Sequence, residues 1–216
     1  MDNTAKLKYD IIYFVGDSVT FAVNQGDDLY RTVNEQNRFS TLIGNYYNLP
    51  VINNALPGCS NEYILRTVYT DIREFRRNGI NPLVFCSYTD INRKEFFCEG
   101  VKKQVSTIDD GNRVFDSEFV KEYFTKHFNW AFAHHVSCIQ VDACKTLFKY
   151  LKIDFIDVFS NVILDYDFVT SRECLGSINK FVGPTNMFNG CGHLTVNGNK
   201  VVADWAIAKF NELYFK

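Results

Sequence analysis

Proline, glycine and long apolar runs are all scarce in this chain. Its 216 residues include only 4 Pro and 12 Gly, which argues against a collagen-like repeat or a Pro/Gly-rich low-complexity segment. With 46% hydrophobic residues it has ample apolar area to bury, so a disordered tail is excluded too. No window approaches the ~20 consecutive apolar residues that cross a bilayer. The opening Met1-Asp2-Asn3-Thr4-Ala5-Lys6-Leu7-Lys8 lacks the apolar stretch of a secretory leader. Neither sign of charge dominates: 23 Lys and Arg against 25 Asp and Glu give a net charge of -2. A positive field for nucleic acid or anionic lipid is therefore missing, and neither is expected as a partner. The expected product is one soluble domain over 1–216, cytoplasmic or virion-associated.

Seven cysteines are present, an odd number without paired short spacings, and this is a poor disulfide framework for a chain of this length. Cys86, Cys138, Cys144 and Cys174 stand among apolar residues and read as small core side chains. The nearest approach to a metal pattern is Cys191-Gly192-His193 with Cys174 upstream. No second close pair completes a zinc set, so neither a metal nor any other cofactor is expected.

Hydrophobic periodicity divides the chain into alternating strands and helices. Tyr9 to Val15 is a short, continuous, β-branched and aromatic run ending at Gly16, the pattern of a strand buried on both faces. Pro82 to Tyr88 and Phe155 to Phe159 read the same way, and Val51-Ile52-Asn53 is a short extended segment. Helices are expected over Arg38 to Tyr47, with an apolar stripe of Phe39, Leu42, Ile43 and Tyr46, and from Ser60 or Asn61 to a left-handed stop at Asn78-Gly79. The second carries Ile64, Leu65, Val68, Ile72 and Phe75. A long helical pattern opens at Ser117 and runs to Leu151 as one kinked helix or two, with Phe128, Phe132, Val136, Ile139, Ala143, Leu147 and Leu151 at helical spacing. Val196 to Tyr214 closes the chain as a helix, and an inserted loop or hairpin is expected at about 97–116. This alternation predicts a three-layer α/β/α sandwich with a mostly parallel, flavodoxin-like sheet. Functional loops then gather at the carboxyl ends of the strands, which brings Ser18, the Gly58 loop and the segment after Tyr88 to one edge.

The residues at that edge resemble a known family. Val15-Gly16-Asp17-Ser18 after the first strand resembles the first block of the SGNH, or GDSL-type, hydrolases. Asn53-Asn54-Ala55-Leu56-Pro57-Gly58-Cys59-Ser60 is similar to the second block, Ser87-Tyr88-Thr89-Asp90 stands where the third falls, and Gly192-His193-Leu194-Thr195-Val196-Asn197-Gly198 resembles the last. The resemblance spans nearly the whole chain and implies the SGNH fold. It also implies a serine esterase acting on a small-molecule or carbohydrate ester, such as an O-acetyl group, without a cofactor. Ser18 would be the nucleophile and His193 the general base, because a serine hydroxyl needs a neighbour to take its proton near neutral pH. The oxyanion donors would be the Ser18 N–H, the Gly58 N–H and Thr89, which stands where the family usually has Asn. A variant third block with an aromatic–Thr pair followed by Arg and Glu looks similar to Tyr88-Thr89 and Arg93-Lys94-Glu95. Asp17, Tyr88 and Arg93 are expected at the substrate rim, with Arg93 and Glu95 as solvated charges or an ion pair.

One departure concerns the imidazole. The family usually places Asp three residues before the histidine, and here that position is Gly190. Three readings follow: a Ser18–His193 dyad; an atypical triad in which Asn189, Asp165 or Asp167 orients the ring; or a degenerate relative that binds without turnover, its ligand lying on some of the 20 Phe and 12 Tyr side chains. A phosphate-binding flavodoxin-like domain is a further reading, opposed by the lack of a Gly-x-Gly-x-x-Gly loop.

Overall fold

The computed structural model describes residues 8–21, 35–98, 101–106, 121–160, 174–183 and 193–215. The elements in chain order are β1 (Ile11–Val15), α1 (Ser18–Phe21), α2 (Phe39–Tyr47), β2 (Val51–Asn53), α3 (Asn61–Arg77) and β3 (Pro82–Tyr88). They are followed by β4 (Arg93–Cys98), β5 (Val101–Ser106), α4 (Trp130–Tyr150), β6 (Asp154–Phe159), β7 (Cys174–Ser177), α5 (Ile178–Val182) and α6 (Val196–Tyr214). Five strands form one parallel sheet in the order β2-β1-β3-β6-β7, the flavodoxin-like arrangement expected from the sequence. Among the described residues, no helix is long and apolar enough to cross a membrane.

Alternation along the central strands fills two cores. Ile12 and Phe14 of β1, Leu83 and Phe85 of β3, and Ile156 and Val158 of β6 pack toward α2 and α6. Ile11, Tyr13 and Val15, with Val84, Cys86 and Tyr88, pack on the opposite face against α3 and α4. Every residue of β1 is buried, which is why the run reads as continuous rather than alternating. Burial of each such large side chain contributes roughly 1.5–3 kcal/mol, so Phe14→Ala at this position costs about 3–5 kcal/mol.

α3 follows its sequence pattern: the Ser60 side chain accepts from the Tyr63 N–H, Ile64, Val68, Ile72 and Phe75 are buried, and Gly79 takes φ +69 beyond the end. α4 departs from its pattern. It begins at Trp130, capped by the Asn129 side chain, and a separate π-helical turn occupies Tyr123–His127. Its buried face is Ala133, Ser137, Val141, Cys144, Lys145 and Phe148, whereas Phe132 is 63% and Ile139 56% exposed. Lys145 is tolerated inside by a 3.0 Å ion pair with the fully buried Asp157. In α2, likewise, Tyr47 rather than Tyr46 faces the core.

Cys86 and Cys144 are buried as expected, but Cys138 and Cys174 are only partly so. The expected insertion contains an antiparallel hairpin that starts earlier than its sequence limits, at Arg93, pairing β4 with β5; 107–116 lie outside the described residues. β7 and α5 had no counterpart in the sequence reading. β7 is four residues long and is broken by Gly176 at φ +85.

Candidate active site

The site is assembled at the carboxyl edge of the sheet, beginning with the turn after β1. Gly16 leaves the strand and Asp17 caps α1, its Oδ1 accepting the Val19 N–H at 3.0 Å. Ser18 is thereby the first residue of α1, 8% exposed. The β2–α3 loop is tied to the same turn: the Leu56 N–H and the Cys59 thiol both donate to the Gly16 carbonyl, at 2.9 and 3.2 Å. Asn53 donates to the Thr20 carbonyl at 3.2 Å and accepts the Ala55 N–H at 3.1 Å, linking this loop to α1. Gly58 lies in that loop at φ +76.

His193 arrives from the other end of the chain. It precedes Leu194, which is buried in the core, and Thr195, whose hydroxyl caps α6 by accepting the Gly198 N–H at 3.0 Å. Asn199, fully buried, accepts the Phe39 N–H at 3.0 Å and so locks the start of α6 to α2. The result is a 2.9 Å contact between His193 Nε2 and Ser18 Oγ, across 175 residues of sequence. For Ser18 to donate here, Nε2 must be the unprotonated nitrogen and Nδ1 must carry the proton. Nδ1 is buried, and no hydrogen-bond partner for it is found among the described residues. Asn189, Asp165 and Asp167, the candidates to orient the ring, lie outside those residues, as do Cys191 and Gly192.

Asp17 is the second centre of the site. Besides the Val19 N–H, its Oδ1 accepts from Ser160 Oγ at 2.8 Å; its Oδ2 accepts from Thr89 Oγ1 at 3.0 Å and Arg93 Nη1 at 3.1 Å. These four donors occupy the four acceptor positions of an ionised carboxylate. The donors come from the ends of β3 and β6, from the start of β4 and from the turn itself. Ser87 Oγ lies 3.0 Å from Ser160 Oγ, whose proton is committed to Asp17, so Ser87 is the donor there. Thr89 is fixed further by Asn61, which accepts its N–H at 2.9 Å and donates to its carbonyl at 3.0 Å. The hairpin that delivers Arg93 is anchored on α3: Lys94 pairs with Glu62 at 2.6 Å, the Glu95 N–H donates to Glu62 at 2.9 Å, and Arg66 pairs with Glu95 at 3.1 Å.

Several expectations change here. Asp17 and Tyr88 are each 1% exposed and do not form a rim; Tyr88 turns into the core beside Phe159, because it falls on the α4 face of β3. Arg93 is neither solvated nor paired with Glu95: its side chain is 11% exposed and its partner is Asp17, with Asp90 at 3.9 Å. Thr89 spends its single proton on Asp17 and is 2% exposed, so it does not present that donor to an oxyanion in this arrangement. His127 and His135 are exposed and His134 partly so, its Nδ1 3.9 Å from Cys138 Sγ. Ser160 and Asn199 are not singled out by the sequence, and Asn61 only as a candidate helix start. Each is a buried polar residue at an element end, which carries no periodic signal.

Burial holds the His193 imidazole below the usual histidine range, with Asp17 acting to raise it and Arg93 to lower it. A lowered value keeps the ring neutral at pH 7, the form able to take a proton. Burial also pushes the Cys59 thiol far up, so it stays protonated beside the Gly16 carbonyl. Among the described residues, no three His, Cys, Asp or Glu side chains stand together as a metal ion would require. A groove lined by Glu62, Leu65, Arg66, Tyr69 and Gln140, between α3 and α4, includes neither Ser18 nor His193.

No protein-family model matches the chain, and no curated protein matches it in sequence. Solved structures do match. A lipolytic protein of the G-D-S-L family from Desulfitobacterium hafniense DCB-2 is 11% identical, with a TM-score of 0.54, over 93% of this chain and 99% of its own. The psychrotrophic esterase EstA from Pseudoalteromonas sp. is 10% identical with a TM-score of 0.54, covering 96% of this chain and all of its own. The acetyl xylan esterase Est2A from the rumen bacterium Butyrivibrio proteoclasticus is 12% identical with a TM-score of 0.56, over 94% of this chain and 64% of that longer protein. With the parallel sheet order and this agreement along nearly the whole chain, the fold is that of the SGNH, or GDSL-type, hydrolases.

Proposed function

We propose that the protein is a serine ester hydrolase of SGNH type, with Ser18 as nucleophile and His193 as base. The observation that carries this reading is the 2.9 Å approach of Nε2 to Oγ between side chains from opposite ends of the chain. Ser18 Oγ attacks the acyl carbon while its proton passes to His193 Nε2. The tetrahedral intermediate collapses as the carbon–oxygen bond to the leaving alcohol breaks, and the imidazolium returns its proton to that oxygen. Water, deprotonated by the same ring, then releases the acid and restores Ser18. The oxyanion is held by the Ser18 and Gly58 N–H groups, the Thr89 hydroxyl being engaged elsewhere. Ser18 and His193 are the reacting pair, with Asn189, Asp165 and Asp167, outside the described residues, as the candidates to orient Nδ1. The substrate is a short acyl ester carried on a carbohydrate, a choice supported by the acetyl xylan esterase that shares this fold.

The test compares wild type with Ser18→Ala, His193→Ala and the double variant, using a fluorophosphonate probe and an activated short-chain aryl ester. Labelling of wild type that vanishes in Ser18→Ala supports the reading. Each single change is expected to remove nearly all turnover, with the double variant little worse, because the two groups act as a unit. Equal background rates in all four proteins would instead assign a binding module on this scaffold.

A further inference from the structure

We infer that Asp17 and Arg93 form a mutually neutralised ion pair that positions Ser18 and sets the charge felt by His193, Arg93 being supplied for this purpose by the β4–β5 hairpin. The positioning half of this inference rests on the hydrolase reading; the electrostatic half does not.

Three observations carry it. First, the Asp17 carboxylate is 1% exposed and its four acceptor positions are filled by Val19, Ser160, Thr89 and Arg93. It has no position left for His193 Nδ1, so it is not a relocated triad acid. It acts on the ring through space. Second, Arg93 is the cation bonded to that carboxylate, and its other neighbour, Asp90 at 3.9 Å, is also negative. Without Arg93 the turn carrying Ser18 would hold a buried carboxylate with no cation bonded to it among the described residues, a costly arrangement. Third, Arg93 is the first residue of a hairpin held to α3 by Lys94–Glu62 and Arg66–Glu95, so its position is set by contacts outside the site. Among the described residues, the charged groups acting on His193 are Asp17, from the β1–α1 turn, and Arg93, from β4; the neighbouring Cys59 remains a neutral thiol.

The signs are opposite for the two partners. Removing the guanidinium leaves Asp17 unopposed, favours imidazolium and moves the His193 titration to higher pH. Removing the carboxylate charge leaves Arg93 opposed only by the more distant Asp90 among the described residues and moves it to lower pH.

The experiment follows the His193 Cε1–H resonance by NMR, assigned with His193→Ala, in wild type, Arg93→Met, Arg93→Lys, Asp17→Asn and Asp17→Asn/Arg93→Met. The pH dependence of fluorophosphonate labelling is measured in parallel. The titration is expected to move up in Arg93→Met, down in Asp17→Asn, and to return toward wild type in Arg93→Lys and in the double variant. Ser160→Ala, which removes a hydrogen bond but no charge, is expected to slow labelling without moving the titration. Should Arg93→Met lose the fold, Arg93→Gln removes the same charge while keeping a donor for Asp17. Titrations that stay put in both the charge-removing single variants, or move in the same direction, overturn the inference. Shifts of the expected signs in a protein that never labels would retain the electrostatic half and sink the hydrolase reading alone.

Discussion

Gly16→Ala tests whether the turn after β1 is glycine for reasons of space. Its φ is not in the left-handed region, so backbone freedom does not explain the residue. A Cβ there would lie 2.6 Å from Thr20 Oγ1, 2.8 Å from Ser87 Cβ and 2.9 Å from the Ser87 carbonyl oxygen. The Thr20 hydroxyl can rotate away, but the Ser87 backbone belongs to β3, where it is paired with Val158 of β6. The end of β1 must therefore move, by about 0.5 Å to reach ordinary contact at 3.4 Å. Overpacking of this kind costs about 1–3 kcal/mol. At this chain length each kcal/mol lowers Tm by about 2–4 °C, so a fall of about 2–12 °C is expected. Since a misplacement of about 1 Å can cost 10²-fold in rate, half that displacement at Ser18 should slow fluorophosphonate labelling on the order of tenfold. Gly44→Ala is the control. Its Cβ would collide with the Val51 side chain, at the β2 edge and away from Ser18, so it should lower Tm while leaving the labelling rate of the folded protein near wild type. Wild-type Tm and labelling in Gly16→Ala, or equal slowing in both variants, would refute the reasoning.

Other outcomes follow from single interactions. Lys145→Met should destabilise by about 3–5 kcal/mol in denaturant unfolding, because Asp157 is fully buried against that ammonium, and Lys145→Met/Asp157→Leu should recover much of the loss; a mild single variant would contradict this. The folded His193 value lies below the unfolded value of about 6.5, so the unfolded chain binds more protons between the two. The stability this group contributes is complete above pH 6.5 and is lost as pH falls through the folded value, so Tm of wild type should decline more steeply between pH 7 and 5 than that of His193→Ala. In Gly58→Ala no atom lies within 4 Å of the new Cβ, so only the φ of +76 opposes it; a loss of about 1–2 kcal/mol is expected, and a neutral change would remove the case for strain in that loop.

The sheet and its order were readable because its strands are continuous apolar runs and its helices carry clear stripes, as at Ile64, Val68, Ile72 and Phe75. The pairing of Ser18 with His193 was expected from the resemblance of their blocks to the family's, whereas parallel connectivity by itself brings only the Ser18, Gly58 and post-Tyr88 loops to one edge. What was hidden is polar and non-periodic. Nothing local to Ser160, Asn61 or Arg93 says that Ser160 and Arg93 meet Asp17 or that Asn61 fixes Thr89, because their partners lie 28 to 143 residues away. The outward turn of Phe132 and Ile139 was hidden for another reason. Hydrophobicity ranks large side chains as core, whereas the buried face of α4 carries Ala133, Ser137 and Cys144 beside Val141 and Phe148.

The two departures from the usual blocks, Gly190 before the histidine and Thr89 in the third block, share a physical thread with Arg93. A carboxylate on Nδ1 would stabilise imidazolium and raise the base; none is found there among the described residues, and burial lowers the base instead. An unopposed buried Asp17 would work the other way, favouring the charged ring, the form that cannot accept the Ser18 proton. Thr89 and Arg93 both bond Asp17 Oδ2, the first fixing it and the second cancelling its charge. The neutral, proton-accepting form of His193 is thus protected by the same contacts that remove Thr89 from the oxyanion. In this reading the third block has exchanged a donor aimed at the reaction for one aimed at the turn that carries the nucleophile, and the remaining burden of charge stabilisation falls on the backbone N–H groups of Ser18 and Gly58.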